Sequence, residues 1–146
     1  MTRSIIRTAD WQDEDTLLIA ASRATPWSAR ARNNVGGVYV RHKDYAHAIE
    51  EFKASLALEP DYPEIEYNLA NCYYLTGNRN EAIKYYLLAL KHNPRLWRSH
   101  TNLGKMYMMS TKEYQKAIPH LKESLKNDPS DTTVQELLKV AQENKE

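Results

Sequence analysis

Prolines recur in this chain at Pro26, Pro60, Pro94 and Pro129, at intervals of 34, 34 and 35 residues. A fixed period of that size constrains the fold more than any other feature. Each period must be one supersecondary unit that buries its apolar face only against its neighbours in a stack. Other columns keep the same register. Val35, Leu69 and Leu103 align, each followed by a small residue (Gly36, Ala70, Gly104), and Tyr39, Tyr73 and Tyr107 follow three positions on. Ala48, Ala82 and Ala117 each precede an isoleucine; Phe52, Tyr86 and Leu121, then Ser55, Ala89 and Ser124, complete the set. One extra residue in the third unit falls between Tyr107 and Ala117, and is placed in the 110–112 turn.

Within each unit the apolar and small residues step by three and four, the amphipathic helical period. The spacing predicts helix pairs at 29–41 and 45–58, 63–75 and 79–92, and 97–109 and 114–126. Gly77 suits a left-handed helix stop. Pro63 suits a first helical position, with Glu64 and Glu66 in the electropositive first turn. Gly36, Ala70 and Gly104 allow close helix approach, as do Ala48, Ala82 and Ala117 from the second helices.

Several function classes fall away on composition. Lys and Arg total 20 against 19 Asp and Glu, so net charge of +1 gives no bulk attraction to nucleic acid. The single cysteine, Cys72, cannot form an internal disulfide or a Cys-rich zinc site, and reads as an inert core thiol. No apolar run approaches the roughly 18 residues of a membrane span, so the chain reads as soluble with its compartment open. His42, His47, His92, His100 and His120 include no i,i+4 pair and no His-Glu-x-x-His. His47 and His120 are expected to be solvated, and Asp13, Glu14 and Asp15 to serve a helix dipole. No cofactor, no metal site and no enzyme activity are expected.

Read as Val35-Gly36, Tyr39, Ala48, Phe52, Pro60 and their counterparts in the next two units, the columns resemble the tetratricopeptide repeat. Its signature runs Trp, Leu-Gly, Tyr, Ala, Phe and Pro. The leading Trp is replaced by Arg32, Glu66 and His100. The resemblance implies an all-α, right-handed α-α superhelix and a protein-interaction role. The units are 29–62, 63–96 and 97–131, flanked by an N-terminal segment at 1–28 and a capping helix at 132–146. Ser130 or Asp131 is expected to cap that last helix, which presents Val134, Leu137, Leu138 and Ala141. Counted back in register, 12–25 reads as a lone second helix with Leu18 and Ala21 in the buried columns. The run Arg7, Trp11, Glu14, Leu17, Leu18 resembles the junction before the repeats in transmembrane O-mannosyltransferase-type proteins. The alternative is a generic capping half-repeat whose Trp11 packs on Val35 and Tyr39. With Ile5, Ile6, Trp11 and Leu17 lacking a covering helix, the chain is expected either to fold residues 2–10 back over that face or to self-associate through it.

The first helix of each unit lines the concave face, and Asn34, Asn68 and Asn102 recur there at the repeat interval. A carboxamide carries donor and acceptor together and can pair with a peptide backbone without reading sequence. The arrangement is similar to the asparagine ladder of O-linked N-acetylglucosamine transferase repeats, which implies an extended peptide ligand; a structural role in the helix turn is the other reading. Neighbouring candidates are Arg30, Asn33, Glu64, Tyr67, Asn71, Tyr74, Arg98, Thr101, Lys105 and Met108, with Arg98 and Lys105 favouring acidic side chains. The family's carboxylate clamp for chaperone C-termini is matched only at Asn68 and Arg98. Asn33, Gly37 and Asn102 occupy its other positions, which argues against that ligand class. A second function class is a substrate-positioning tail of a membrane glycosyltransferase. Charge is segregated: residues 44–66 hold seven acids and one base, and 67–126 ten bases and three acids.

Overall fold

The computed structural model describes residues 13–109 and 113–144. These form eight helices: α1 (Asp13–Ala24), α2 (Ala29–Arg41), α3 (Tyr45–Leu58), α4 (Pro63–Leu75), α5 (Arg79–His92), α6 (Trp97–Met108), α7 (Tyr114–Asn127) and α8 (Thr132–Glu143). Each helix packs on the next, and the tightest associations are the pairs α2–α3, α4–α5 and α6–α7. The result is a right-handed α-α superhelix.

Local chemistry sets the helix ends. Ser28 caps α2 by accepting the Ala31 N–H at 3.2 Å, Asp44 caps α3 from His47, and Asp131 caps α8 from Val134 at 3.1 Å. Pro63 occupies the first turn of α4, where its missing N–H has no intrahelical partner to lose. After α4 the chain turns at Gly77 with φ of +80°. Lys43, one repeat earlier, takes φ of 58° at the same place.

Packing follows the small and large columns. Phe52, Tyr86 and Leu121 are each at most 1% exposed. A Cβ on Gly36 would lie 2.6 Å from the Phe52 ring, and one on Gly104 2.5 Å from Leu121. The absent side chain is what lets the paired helix seat its large residue. At the far end, α8 buries Val134 and Ala141 against α6 and α7, with Leu137 and Leu138 partly buried on the same core.

The N-terminal helix departs from the expected register by one residue. Ile19 and Ser22 are buried on α2, while Ala21 is exposed and Leu18 only half-buried. Asp15 is buried too, and pairs with Arg41 and, at 2.8 Å, with His42 Nε2 instead of merely serving the helix dipole. That pair draws α1 toward the end of α2 and fixes its rotation. The Arg7 and Trp11 part of the junction motif, Ile5 and Ile6, and the 110–112 insertion lie outside the described residues; Leu17 is 69% exposed.

Candidate functional site

The three first helices carry the candidate groove. Arg30 and Asn34 on α2, Glu64 and Tyr74 on α4, and Arg98 and Lys105 on α6 are exposed; Asn68, Asn71 and Asn102 are half-buried. A pocket of about 220 Å³ opens between Tyr74, Lys105, Asn102, Met106 and Tyr86. Tyr86 reaches it from α5 through a network that joins two candidate asparagines. Its hydroxyl donates to Asn71 Oδ1, and Asn102 Nδ2 donates to Asn71 Oδ1 at 3.0 Å and to the Tyr86 oxygen at 3.1 Å.

This network fixes the orientation of both amides. Burial pushes the Tyr86 phenol far above its ordinary range, so it stays protonated and must donate. Asn71 therefore turns its oxygen inward and its Nδ2 away, while Asn102 does the reverse. Asn71 Nδ2 and Asn102 Oδ1 have no partner among the described residues and are not sealed from solvent. Asn71 keeps a donor and Asn102 an acceptor, the two capacities a peptide group can meet.

Other candidates turn out differently. Asn102 is tied into the protein and is not a free rung of a solvent-facing ladder. Asn33 buries its Oδ1 without a partner, so its acceptor does not face the groove. Thr101 is buried, bonded to the Trp97 carbonyl at 3.0 Å and to Ser124 Oγ at 2.5 Å, because its hydroxyl finds partners only in the α6–α7 interface. Tyr67 leans against the core, its ring 5.9 Å from Tyr86, and Met108 is likewise half-buried there. Arg98 lies over the Trp97 ring at 5.5 Å. The structure thus assembles Asn71, Tyr74, Asn102 and Lys105 around Tyr86. The hint of Tyr86 in the sequence was a hydroxyl on only one member of an otherwise apolar column.

The positions that replace the family's Trp are polar in all three units, and each is satisfied by a second helix. Arg32 bonds Glu51 at 3.1 and 3.3 Å, Glu66 bonds His92 at 2.8 Å, and His100 Nδ1 lies 2.9 Å from His120 Nδ1. His120 is therefore not solvated. It stacks on Tyr107, and burial followed by the nearby His100 brings its pKa down to about 4. His100 Nε2 donates to the Pro94 carbonyl at 2.9 Å, so in the neutral pair His120 Nδ1 donates to His100 Nδ1. Cys72 is 1% exposed and burial pushes its thiol up to about 11, which leaves it protonated and unreactive. Among the described residues, Asp61, Glu66 and His92 form a group with metal-ligand spacing, which no sequence-local pattern announced.

A family model for the tetratricopeptide repeat matches residues 39–103, and a second model of the same repeat matches 98–131. The chain belongs to the tetratricopeptide repeat family. This repeat protein is 30% identical over 118 residues to anaphase-promoting complex subunit CDC16 of Saccharomyces cerevisiae, an alignment spanning 76% of the chain and 14% of that relative. It is 27% identical over 94 residues to protein O-mannosyl-transferase TMTC3 of Mus musculus, covering 64% of the chain and 10% of the relative. The chain thus spans about a seventh or less of the length of these relatives. The fold is similar to that of MamA, with a TM-score of 0.78 at 22% identity over 88% of the chain and 69% of MamA. It is also similar to the first tetratricopeptide domain of Spaghetti (RPAP3) bound to the HSP90 peptide SRMEEVD, with a TM-score of 0.71 at 17% identity over 80% of the chain and 91% of that domain. Repeats of this family mediate protein–protein interaction. Among the described residues, no helix is long and apolar enough to cross a membrane.

Proposed function

We propose that the concave face holds an extended peptide of a partner protein, and that Asn71 and Asn102 grip one of its backbone groups beside Tyr74 and Lys105. The observation that carries this reading is the network in which Tyr86 and Asn71 hold the Asn102 amide, whose side chain lines the pocket with Tyr74 and Lys105. Asn34 and Asn68 extend the line of amides toward the N-terminal end, with Arg30 beside them. A peptide seated in a complementary domain of the same fold supports the reading by analogy of architecture alone.

The test selects a ligand from a peptide pool and titrates it against variants. Each net hydrogen bond contributes roughly 0.5–1.5 kcal/mol. An N34A/N68A variant should lose on the order of 1–3 kcal/mol of binding with an unchanged melting temperature, because neither amide bonds within the described protein. Tyr86→Phe should weaken binding by freeing Asn71 and Asn102 to flip. Equal affinities for wild type and both variants would overturn the groove reading.

The similarity to TMTC3 supports a second reading, in which the repeats position a protein substrate for a membrane O-mannosyltransferase-type enzyme. Hydrophobic spans encoded in frame upstream of these repeats would support it; a reading frame without them would overturn it.

A further inference from the structure

Outside the groove, the loop between α3 and α4 meets the end of α5 at a second pocket of about 380 Å³, lined in part by Asp61, Glu66 and His92. The Glu66 side chain is 2% exposed, and both its carboxylate oxygens lie 2.8 Å from His92 Nδ1. A buried carboxylate that accepts Nδ1–H fixes the ring orientation and directs Nε2 outward. There it faces Asp61 Oδ1 at 3.1 Å, on a side chain 74% exposed.

We infer that Asp61 and His92 form a binding site for a borderline divalent transition ion of the zinc class, with Glu66 as the positioning carboxylate behind the histidine. A metal-bound histidine characteristically donates its other ring N–H to a carboxylate, which raises ligand basicity and sets the tautomer. Here that partner is already in place and sealed from water. Two ligand atoms at about 2.0–2.2 Å from one metal in cis or tetrahedral positions stand about 3–3.4 Å apart, which spans the observed Nε2 to Oδ1 gap. The remaining coordination positions open into the pocket and fall to water. An imidazole nitrogen with a carboxylate oxygen selects zinc-like ions over calcium or magnesium, which take oxygen ligands. Lys53 and Lys91 line the same pocket and hold the affinity down. On binding, the metal replaces any proton on Nε2, which leaves to solvent.

The full chain is titrated with Zn2+ by calorimetry at neutral pH, and with Co2+ by visible absorption. The expected result is one equivalent bound, an apparent binding enthalpy that shifts with buffer ionisation enthalpy because a proton is released, and a higher melting temperature with zinc. Asp61 takes φ of 64°, a conformation asparagine also tolerates, so D61N keeps the fold and should weaken zinc at least tenfold. E66Q retains an acceptor for Nδ1–H. It should weaken binding about 10- to 100-fold and alter the Co2+ bands, a change that a merely structural role would not produce. The H100Q/H120Q variant should bind as wild type does. Absence of binding overturns the site. So does equal zinc affinity in wild type and D61N, or loss of binding in H100Q/H120Q.

Discussion

A Cβ on Gly36 would meet the Phe52 ring at 2.6 Å, whereas one on the adjacent Gly37 meets nothing within 4 Å. Gly36→Ala gains helix propensity but forces an aromatic ring from its seat, and the clash should win by about 1–3 kcal/mol. Gly37→Ala gains propensity alone and should stabilise by about 0.5–1 kcal/mol. Urea denaturation of the two variants checks the pair, and a shift of the same sign in both would contradict the packing. The recurrence of Gly36, Ala70 and Gly104 made the first of these legible in the sequence; the openness around Gly37 was not. Ser99 was equally silent. Its Oγ is buried without a partner, so Ser99→Ala removes an uncompensated polar group and should raise stability by up to about 1 kcal/mol in the same measurement.

Helix boundaries were legible almost to the residue because prolines, Gly77 and the capping residues punctuate the chain at the repeat interval. The third pair differs by one residue at two ends, closing at Met108 and Asn127. The rotation of α1 was not legible. Asp15 sets it by choosing partners 26 and 27 residues away. The pairing of the substituted Trp column was hidden for the same reason, since its partners lie 19 to 26 residues downstream on the second helices. One such pair makes the α6–α7 joint sensitive to acid. His120 is neutral in the fold with a pKa near 4, below its ordinary 6.5. The unfolded chain therefore binds more protons between those values. The stability from this group is full above about pH 6.5 and is lost as pH falls toward 4, on the order of 1–2 kcal/mol after allowance for the ring's partial exposure. Asp15 and Glu113 lie below their ordinary range, Asp15 mainly through hydrogen bonds from His42 and Arg41 and Glu113 mainly through one from Arg79. Their stability is present above the usual carboxylate pKa and is lost only as pH falls through their depressed folded values. Thermal melts between pH 7.5 and 4.5 should show the earlier loss in wild type, and a flatter profile over that window in His120→Gln.

Over the whole molecule, the charge segregation seen in the sequence is partly consumed by the fold. Of the seven acids in 44–66, Asp44 caps α3, Glu51 pairs with Arg32, and Glu66 is buried against His92. Among the bases that follow, Arg79 and Lys116 share Glu113, and Lys126 pairs with Glu123. On a solenoid, position along the chain is position along the axis, so what remains exposed still grades from Glu59, Asp61 and Glu64 to Arg98 and Lys105. A peptide held in the groove meets that gradient lengthwise. Its acidic residues should lie toward α6, where Lys105 stands on the rim of the Tyr74–Asn102 pocket. Arg98 is partly occupied by the Trp97 face, so its charge is less available to a ligand. Lys105→Glu should therefore cost an acidic peptide more affinity than Arg98→Glu, and neither change should matter for an uncharged analogue of the same backbone. Since both cations are exposed, the preference should fade as the Debye length shrinks from about 10 Å at 0.1 M salt toward 3 Å at 1 M. Titrations of the paired peptides at the two salt concentrations read both effects. A preference for acidic ligands that survives 1 M salt, or that is indifferent to Lys105, would place the charge recognition away from this end of the groove.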